Sequence, residues 1–467
     1  MRERAGSRVK AQDALFLHVH SPSAPQQVGA VVTVTGCGVS LAALRSAVAA
    51  RVSEVPQLRR RLMAARGRWP AARWVTDDAV DVCSRIKQVR AGADGWPDST
   101  EQVAARFFAE PIDPCWTPWQ ILLLGDRHDG GSTLIVKVHH ALGDSYTLIS
   151  ALSGLFDPGT RRQPGRRRYA TPVSTPRVPL LRATASQLVC TVRGAVALAL
   201  TSPAPRIRGH RRSIGGGRSF ATIKLPSRAF RITARRLRTN PTALVLALVA
   251  EALGELMTRR GQLTGGRHVR VLAPLTARKG MISPRRAGGS GAALAHASQR
   301  EPPSNQASGL LLDLPLEPMT LAERVTAIQR MWAARLRRGD AQAAALILRA
   351  MNLLPAPLQR AVARMSYCGR RFNMIVSVFP GIRRRHFLLG AEVSEVYPVL
   401  ALADGAALAI GAMTWRGSLC LGLLADEQLI PGLPALATAI KRSFAAHQAV
   451  LPAERAGRVA SRGHRVH

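Results

Sequence analysis

The stretch from Pro158 to Ala250 carries eighteen Arg, one Lys and not one Asp or Glu. Its first part, Gly159–Arg218, is rich in Pro, Gly and Arg and contains the runs RRQPGRRR and RGHRRSIGGGR. Like charges repel, and Pro and Gly interrupt both helix and strand, so this part reads as a linker rather than a core. It divides the 467 residues into two halves, each long enough to bury a core of its own. A helix of amphipathic spacing is expected inside it, over Leu180–Leu200.

Both halves alternate strand and helix patterns. In the first, Val28–Val34 (VGAVVTV) is a β-branched run, Leu41–Val52 has helical apolar spacing, and Leu58–Leu62 is a basic continuation. Gln120–Leu124 and Ser132–Val138 read as strands joined by the polar, Gly-containing turn region Gly125–Gly131. Tyr146–Leu155 reads as a helix that stops before Asp157-Pro158-Gly159. In the second half, strands are expected at Phe220–Leu225, Val269–Leu275, Gly309–Leu314 and Phe372–Val378. Ala406–Trp415 and Leu419–Leu424 read as a hairpin about Arg416-Gly417. Helices are expected at Ala243–Met257, Leu321–Arg337 and Leu433–Ala449. The expected fold is α/β, two domains each with a mixed β-sheet and helices. The bounds are 1–158, a basic linker 159–218, a second domain 219–450 and a basic tail 451–467.

Charge narrows the partners. The formal net charge is +38, and sixty of the 66 basic residues are Arg. At 47% apolar the chain is no disordered basic tail. The charge fits nucleic acid, an anionic membrane, or an Arg-for-Lys composition bias. Single-strand readers interleave aromatics with their basic stretches, whereas the linker has only Tyr169, so no nucleic-acid partner is expected. Six scattered Cys form no C-x-x-C pair, which argues against zinc ribbons and redox motifs and reads as single buried thiols. No apolar region follows the charged Met1–Lys10, so no signal peptide is expected. Apolar runs such as Ala195–Leu200 and Ala243–Ala250 fall short of the ~18–20 residues a span requires, so a soluble or peripheral protein is expected.

The local feature that carries chemistry is Lys137-Val138-His139-His140-Ala141-Leu142-Gly143-Asp144-Ser145. An apolar strand delivers two adjacent His to its end. Successive strand residues point to opposite faces, so one of the pair faces a given cleft. A neutral imidazole is a good general base near neutral pH. Gly143 permits a turn, and Asp144 can bond back toward the strand end. Metal sites on strands prefer H-x-H, which puts both rings on one side, and no acidic or Cys cluster lies nearby, so no metal is expected.

The H-H-x-x-x-D pattern at a strand end resembles the signature of acyltransferases related to chloramphenicol acetyltransferase, a superfamily that includes condensation domains. Over nearly its whole length, apart from linker and tail, the chain is similar to the bacterial wax ester synthase / diacylglycerol acyltransferase family. Asp13-Ala14-Leu15-Phe16 resembles its D-A-x-F. Pro111-Ile112-Asp113 with Pro118-Trp119 resembles its P-L-D…P-L-W. Val245-Leu246-Ala247 with Ala252-Leu253 resembles its second-half helix, and Ala273–Arg278 its P-V-S-x-R. Asn305, ten residues before Pro315, resembles its G-N…L-P run. Ser377-Val378-Phe379-Pro380-Gly381 resembles S-N-V-P-G, and Tyr397-Pro398, Gly405 and Ala425-Asp426 complete the pattern. The departures are Ser145 in place of Gly, Thr242-Ala243 in place of Asn-Asp, Val378 in place of Asn, Ile382 in place of Pro, and Gln26-Gln27 in place of Met-His.

The resemblance implies two chloramphenicol acetyltransferase-like domains with an active-site channel at their interface. It implies an O-acyltransferase that uses acyl-CoA as co-substrate, with no cofactor, and acts on a long-chain alcohol or diacylglycerol to make wax ester or triacylglycerol. His140 is then the general base, His139 faces away and supports the strand, Gly143 makes the turn and Asp144 holds the loop. Ser145, Asn305, Arg278, Pro380 and Gly381 are candidates for shaping the channel. Trp116 and Trp119 are expected in the core. The water-insoluble acceptor and the basic linker together imply a cytoplasmic protein on the surface of an anionic inner membrane or a lipid droplet. Two other readings stand: a divergent member with another acceptor or a carrier-protein donor, and a catalytically silent acyl-binding protein.

Overall fold

The computed structural model describes residues 6–36, 38–65, 68–77, 79–93, 95–116, 118–125, 130–143, 157–158, 185–205, 214–261, 268–276, 307–382 and 385–448. In the first half the strands are β1 (Ser7–Arg8), β2 (Gln27–Thr35), β3 (Arg60–Ala65), β4 (Arg68–Thr76), β5 (Ile86–Val89), β6 (Trp119–Leu124), β7 (Ser132–His139) and β8 (Asp157–Pro158). In the second they are β9 (Arg218–Pro226), β10 (His268–Thr276), β11 (Ala307–Pro315), β12 (Met374–Ile382), β13 (His386–Leu388), β14 (Ala391–Val399), β15 (Leu408–Trp415) and β16 (Ser418–Asp426).

Among these strands two large mixed sheets form. One runs β5-β6-β7-β2-β14-β13-β8 and the other β11-β10-β12-β15-β16-β9, with a small sheet β1-β4-β3 beside them. The expected strands all appear. β6 and β7 pair antiparallel, and so do β15 and β16. The latter hairpin closes at Arg416 (φ 42°) and Gly417 (φ 84°), two positive φ values in succession that match the strands' twist. Helices begin where the chain supplies caps. Ser40 accepts the Ala43 N–H, Asn240 accepts the Ala243 N–H ahead of Pro241, and Thr320 with Glu323 forms a reciprocal capping box. Pro241–Arg259 is long and apolar enough to cross a membrane, but two thirds of it is buried inside the second core. The expected helix at Tyr146–Leu155 lies outside the described residues.

The sheets do not follow the halves. β14, from the second half, pairs antiparallel with β2 at the centre of the first sheet, with Val396 opposite Val32. Its other side rests on the second sheet, where Gly411 of β15 and Gly422 of β16 face each other in register. A methyl group at Gly411 would stand 2.9 Å from Cβ of Pro398, and one at Gly422 would collide with the Pro398 carbonyl. Two paired glycines thus leave a flat seat for the β14 backbone. The Trp415 indole N–H donates to Val393 O at 2.9 Å across the same junction. The unit expected as 219–450 therefore lends its residues 386–399 to the sheet of the first half. β14 was hidden in the sequence because a bulge between Val393 and Glu395 breaks the alternation of period two.

Other features differ from expectation. Leu58–Leu62 passes from a 3-10 turn into β3. The linker's helix covers Ala185–Ala199, and its Gly194 packs so tightly on Gly339 that any side chain would strike the backbone there. Trp119 is buried and donates its N–H to Leu58 O at 2.7 Å, but Trp116 is 77% exposed, because it sits in the turn after Asp113 rather than on β6. Of the described cysteines Cys420 alone is buried, so single buried thiols are not the rule.

Candidate functional site

β7 is buried along its whole length and ends at His139. His140–Leu142 then forms a single 3-10 turn, and Gly143 follows with extended backbone. The turn is fixed at the main chain: His139 N–H donates to Pro118 O (2.8 Å), His140 N–H to Gln26 O (2.9 Å) and Gly143 N–H to His140 O (3.3 Å). The structure thus brings His139, His140 and Gly143 together. Asp144, Ser145, Arg278 and Asn305 lie outside the described residues. Gly381 lies at the β12 bulge, where its nearest neighbour is Thr414 of β15, and Pro380 precedes it in the same bulge.

The two imidazoles occupy different surroundings. His139 is fully buried, and its Nδ1 accepts the Ala141 N–H at 3.2 Å. A backbone N–H can only donate, so neutral His139 carries its proton on Nε2. That nitrogen stands 3.1 Å from Nδ1 of His20 and donates to it. The Gln26 N–H points at the same His20 nitrogen from 3.4 Å, so His20 keeps its own proton on Nε2. Burial holds His139 far below the ordinary imidazole range, helped by its neighbours His20 and His140. Burial also lowers His20, against the pull of Asp113. Both are neutral at pH 7.

His140 turns the other way. Its ring lies on that of Phe16, centroids 3.7 Å apart and planes within 10°. Phe16 meets Tyr367 edge-on, and Tyr367 meets Phe372. This aromatic line carries the site from the first half into the second. The helix Ala11–Val19, which bears Phe16, is clasped from the second half. Asn352 Oδ1 accepts the Ala11 N–H (2.8 Å), Gln359 Oε1 faces His18 Nε2 (3.4 Å), and Arg364 Nε donates to His18 O (3.3 Å).

Gln26 and Gln27 show what the departure from Met-His achieves. Gln26 donates its amide to Ala24 O and Leu402 O, which ties the segment after His20 to the second half. Gln27 donates to Phe108 O and Glu110 O and accepts the Ile112 N–H. Lys137 is buried in β7 and donates Nζ to Phe107 O (2.6 Å) and Glu110 O (2.9 Å), with its pKa lowered by burial to about 8. Both side chains cap the end of the helix Thr100–Ala109, where carbonyls lack partners. They thereby fix Pro111–Pro114. A cavity of about 360 Å³ lies there, lined by Leu17, His20, Pro111, Ile112, Asp113, Pro114 and His139.

A buried ion pair props the same region. Asp426 and Arg218 are 3.5 Å apart and almost fully buried. Asp426 accepts the N–H groups of Gly215, Gln428 and Leu429, while Arg218 donates to Gly215 O, Gly217 O and Ser23 O. Ser23 lies between His20 and Gln26, so the end of β16 holds the loop beside the His pair. Among the described residues no three His, Cys, Asp or Glu cluster to hold a metal ion. His20 and Arg218 escaped the sequence reading. His20 stands 119 residues from its partner and in no motif, and Arg218 stands in an Arg-rich linker where one Arg resembles the next.

Two mixed sheets bridged by β14, with paired His where β7 ends, define the condensation-domain, chloramphenicol acetyltransferase-like class of α/β fold. Solved structures agree. The wax ester synthase/diacylglycerol acyltransferase from Marinobacter aquaeolei VT8 superposes with a TM-score of 0.65 at 17% identity, over 94% of this chain and 98% of that one. The starter condensation domain of rhizomide synthetase, solved with C8-CoA and Leu-SNAC, gives 0.56 at 16% over 95% and 93%. The wax ester synthase/diacylglycerol acyltransferase catalytic domain model matches residues 9–252, and the model of that family's C-terminal domain matches 304–447. The chain belongs to the wax ester synthase/diacylglycerol acyltransferase family. Rv0895 of Mycobacterium tuberculosis, which carries a provisional diacylglycerol O-acyltransferase name, is 26% identical over 91% of this chain and 88% of its own.

Proposed function

We propose that this family member moves a fatty acyl group from acyl-CoA to a long-chain alcohol or diacylglycerol, with His140 as general base. The observation that carries the reading is the division of labour in the His pair. Both ring nitrogens of His139 are committed, to Ala141 and to His20, and the His140 ring is held separately, stacked on Phe16.

The imidazole of His140 takes the proton of the acceptor hydroxyl as its oxygen attacks the thioester carbonyl. The tetrahedral oxyanion collapses, the C–S bond breaks, and the proton passes to the departing thiolate. An ester and free CoA thiol result. No acyl-enzyme forms, so no Ser or Cys nucleophile is required. Asp144 holds the loop after the turn. Ser145, Arg278, Asn305 and the Pro380-Gly381 bulge shape a channel between the halves. The C8-CoA bound by the rhizomide condensation domain supports a CoA thioester as donor in this fold.

The Arg-rich chain suits an anionic membrane or lipid-droplet surface, where each nearby Arg contributes ~1 kcal/mol. His140→Ala is expected to lower thiol release from acyl-CoA, with long-chain alcohol or diacylglycerol present, by about 10²–10⁴-fold. Its circular dichroism should match wild type. A folded variant at near-normal rate would sink the assignment.

A further inference from the structure

We infer that the outer faces of three neighbouring helices, Ala185–Ala199, Asp340–Ala350 and Ala356–Ser366, form a docking surface for an anionic lipid bilayer. The inference rests on the acyl-transfer reading above, because a lipid acceptor is what would arrive through such a surface.

The first helix is inverted relative to a globular protein. Its small residues face inward, with Gly194 against Gly339 and Ala343. Leu198 packs on the core, but three other apolar residues face out: Val189, Val192 and Val196 are each more than half exposed, and Leu200 just beyond the helix is 80% exposed. These positions recur at three, four and four residues, which is a single stripe of an α-helix. Leu353, in the turn between the other two helices, is 86% exposed, and Met365 is 68% exposed. An apolar stripe turned to water is the reverse of what core packing selects, and marks an interaction surface.

Charge identifies the occupant. Arg193, Arg349, Arg360 and Arg364 are exposed on the same helices. No Asp or Glu occurs from Ala341 to Ala391, nor anywhere from Pro158 to Ala250. Apolar side chains rimmed only by cations suit acyl chains beneath anionic headgroups. Asp340, the single acidic residue of these helices, is buried and paired with Arg335 and Arg338, so a folded partner protein of mixed charge would find no exposed acidic residue on them to match its own cations. The location also serves the chemistry. The helix Ala356–Ser366 clasps Ala11–Val19 through Gln359 and Arg364, and Tyr367 at its end touches Phe16, which lies on His140. A diacylglycerol leaving the bilayer at this surface is one helix away from the base.

The test combines vesicle flotation with two transfer assays on the full chain. Wild type is expected to bind phosphatidylglycerol-containing vesicles about tenfold more tightly than phosphatidylcholine vesicles. Val192→Asp, Val196→Asp, Leu353→Asp and Met365→Asp combined should weaken that binding by about tenfold, with unchanged circular dichroism. Transfer to vesicle-embedded diacylglycerol should fall with it, and transfer to a water-soluble short-chain alcohol should not. Arg193→Glu, Arg349→Glu and Arg360→Glu combined should abolish the preference for anionic vesicles. Wild-type binding by the Asp variant overturns the inference. So does a wild-type dimer that the Asp variant converts to monomer while neither floats. So does binding that persists in the Asp variant but is lost on deletion of 159–184. Absence of turnover with every acceptor overturns the acyl-transfer reading instead, and flotation then decides the surface by itself.

Discussion

The end of β7 and the β15–β16 hairpin are built from similar apolar strands and are put to opposite uses. β15 and β16 bury almost every residue, close on themselves through two residues, and carry the second core. β7 is equally buried but threads Lys137 and His139 into its apolar run, and the side-chain nitrogens of both are answered by groups outside the strand. The hairpin's turn is set locally, and its strands are held by apolar packing and by pairing with β12 and β9. The end of β7 is held by contacts that span the chain: His20, Gln26, Pro118, and beyond them Ser23, Arg218 and Asp426. A site that must hold a neutral imidazole in one orientation needs that second kind of construction.

The largest effect expected from this contrast, after loss of His140, is at its distant prop. Asp426→Ala leaves Arg218 buried without its partner and should cost about 3–5 kcal/mol of stability in chemical denaturation. If the two regions were independent, the variant would keep its activity per folded molecule, whereas loosening of Ser23 predicts a fall in that activity as well. Ile410→Ala, in the hairpin, should cost about 2–5 kcal/mol through the cavity it leaves, with kcat unchanged in the folded fraction. A drop in kcat there would erase the contrast.

His20→Ala should cost less stability and more rate. Without an acceptor, His139 loses the bond that orients it, and the turn carrying His140 loosens. kcat is expected to fall about ten- to a hundredfold with little change in KM. His20→Asn, whose oxygen can accept from Nε2, should restore part of it. Equal loss in both variants would make His20 a packing residue only.

The smallest effect concerns pH. His18, His20 and His139 are all lowered from 6.5, chiefly by burial. As pH falls through 6.5 the unfolded chain takes up protons that the folded chain refuses, so stability drops toward acid and rises toward neutrality. Melting temperatures between pH 7 and 5 should show this, and the slope should be shallower in His20→Asn. A protonated His20 could no longer accept from His139. Burial keeps folded His20 neutral below pH 6.5, so the loss of activity that follows its protonation should set in at a lower pH than the onset of the stability loss.

Much was legible beforehand, for physical reasons. Apolar runs bounded by Gly announced β2, β6, β7, β15 and β16, and Arg416-Gly417 announced its turn. β14 was not legible, because its bulge destroys the alternation. The neighbours of the His pair were not legible either, since no pattern links His20 to His139 or Arg218 to Asp426.

By itself the sequence determined that two His arrive at a strand end, that the chain has two sheet-forming halves, and that the joining stretch is purely basic. These follow from periodicity and composition, which are properties of neighbours in the chain. Only the tertiary structure decided that His139 is tied to His20 while His140 stacks on Phe16, that β14 ties the halves together, and that the linker's helix turns valines outward. Each of these depends on groups more than a hundred residues apart meeting in one buried place, where an imidazole nitrogen must find a donor or acceptor and a carbonyl must find room beside a glycine.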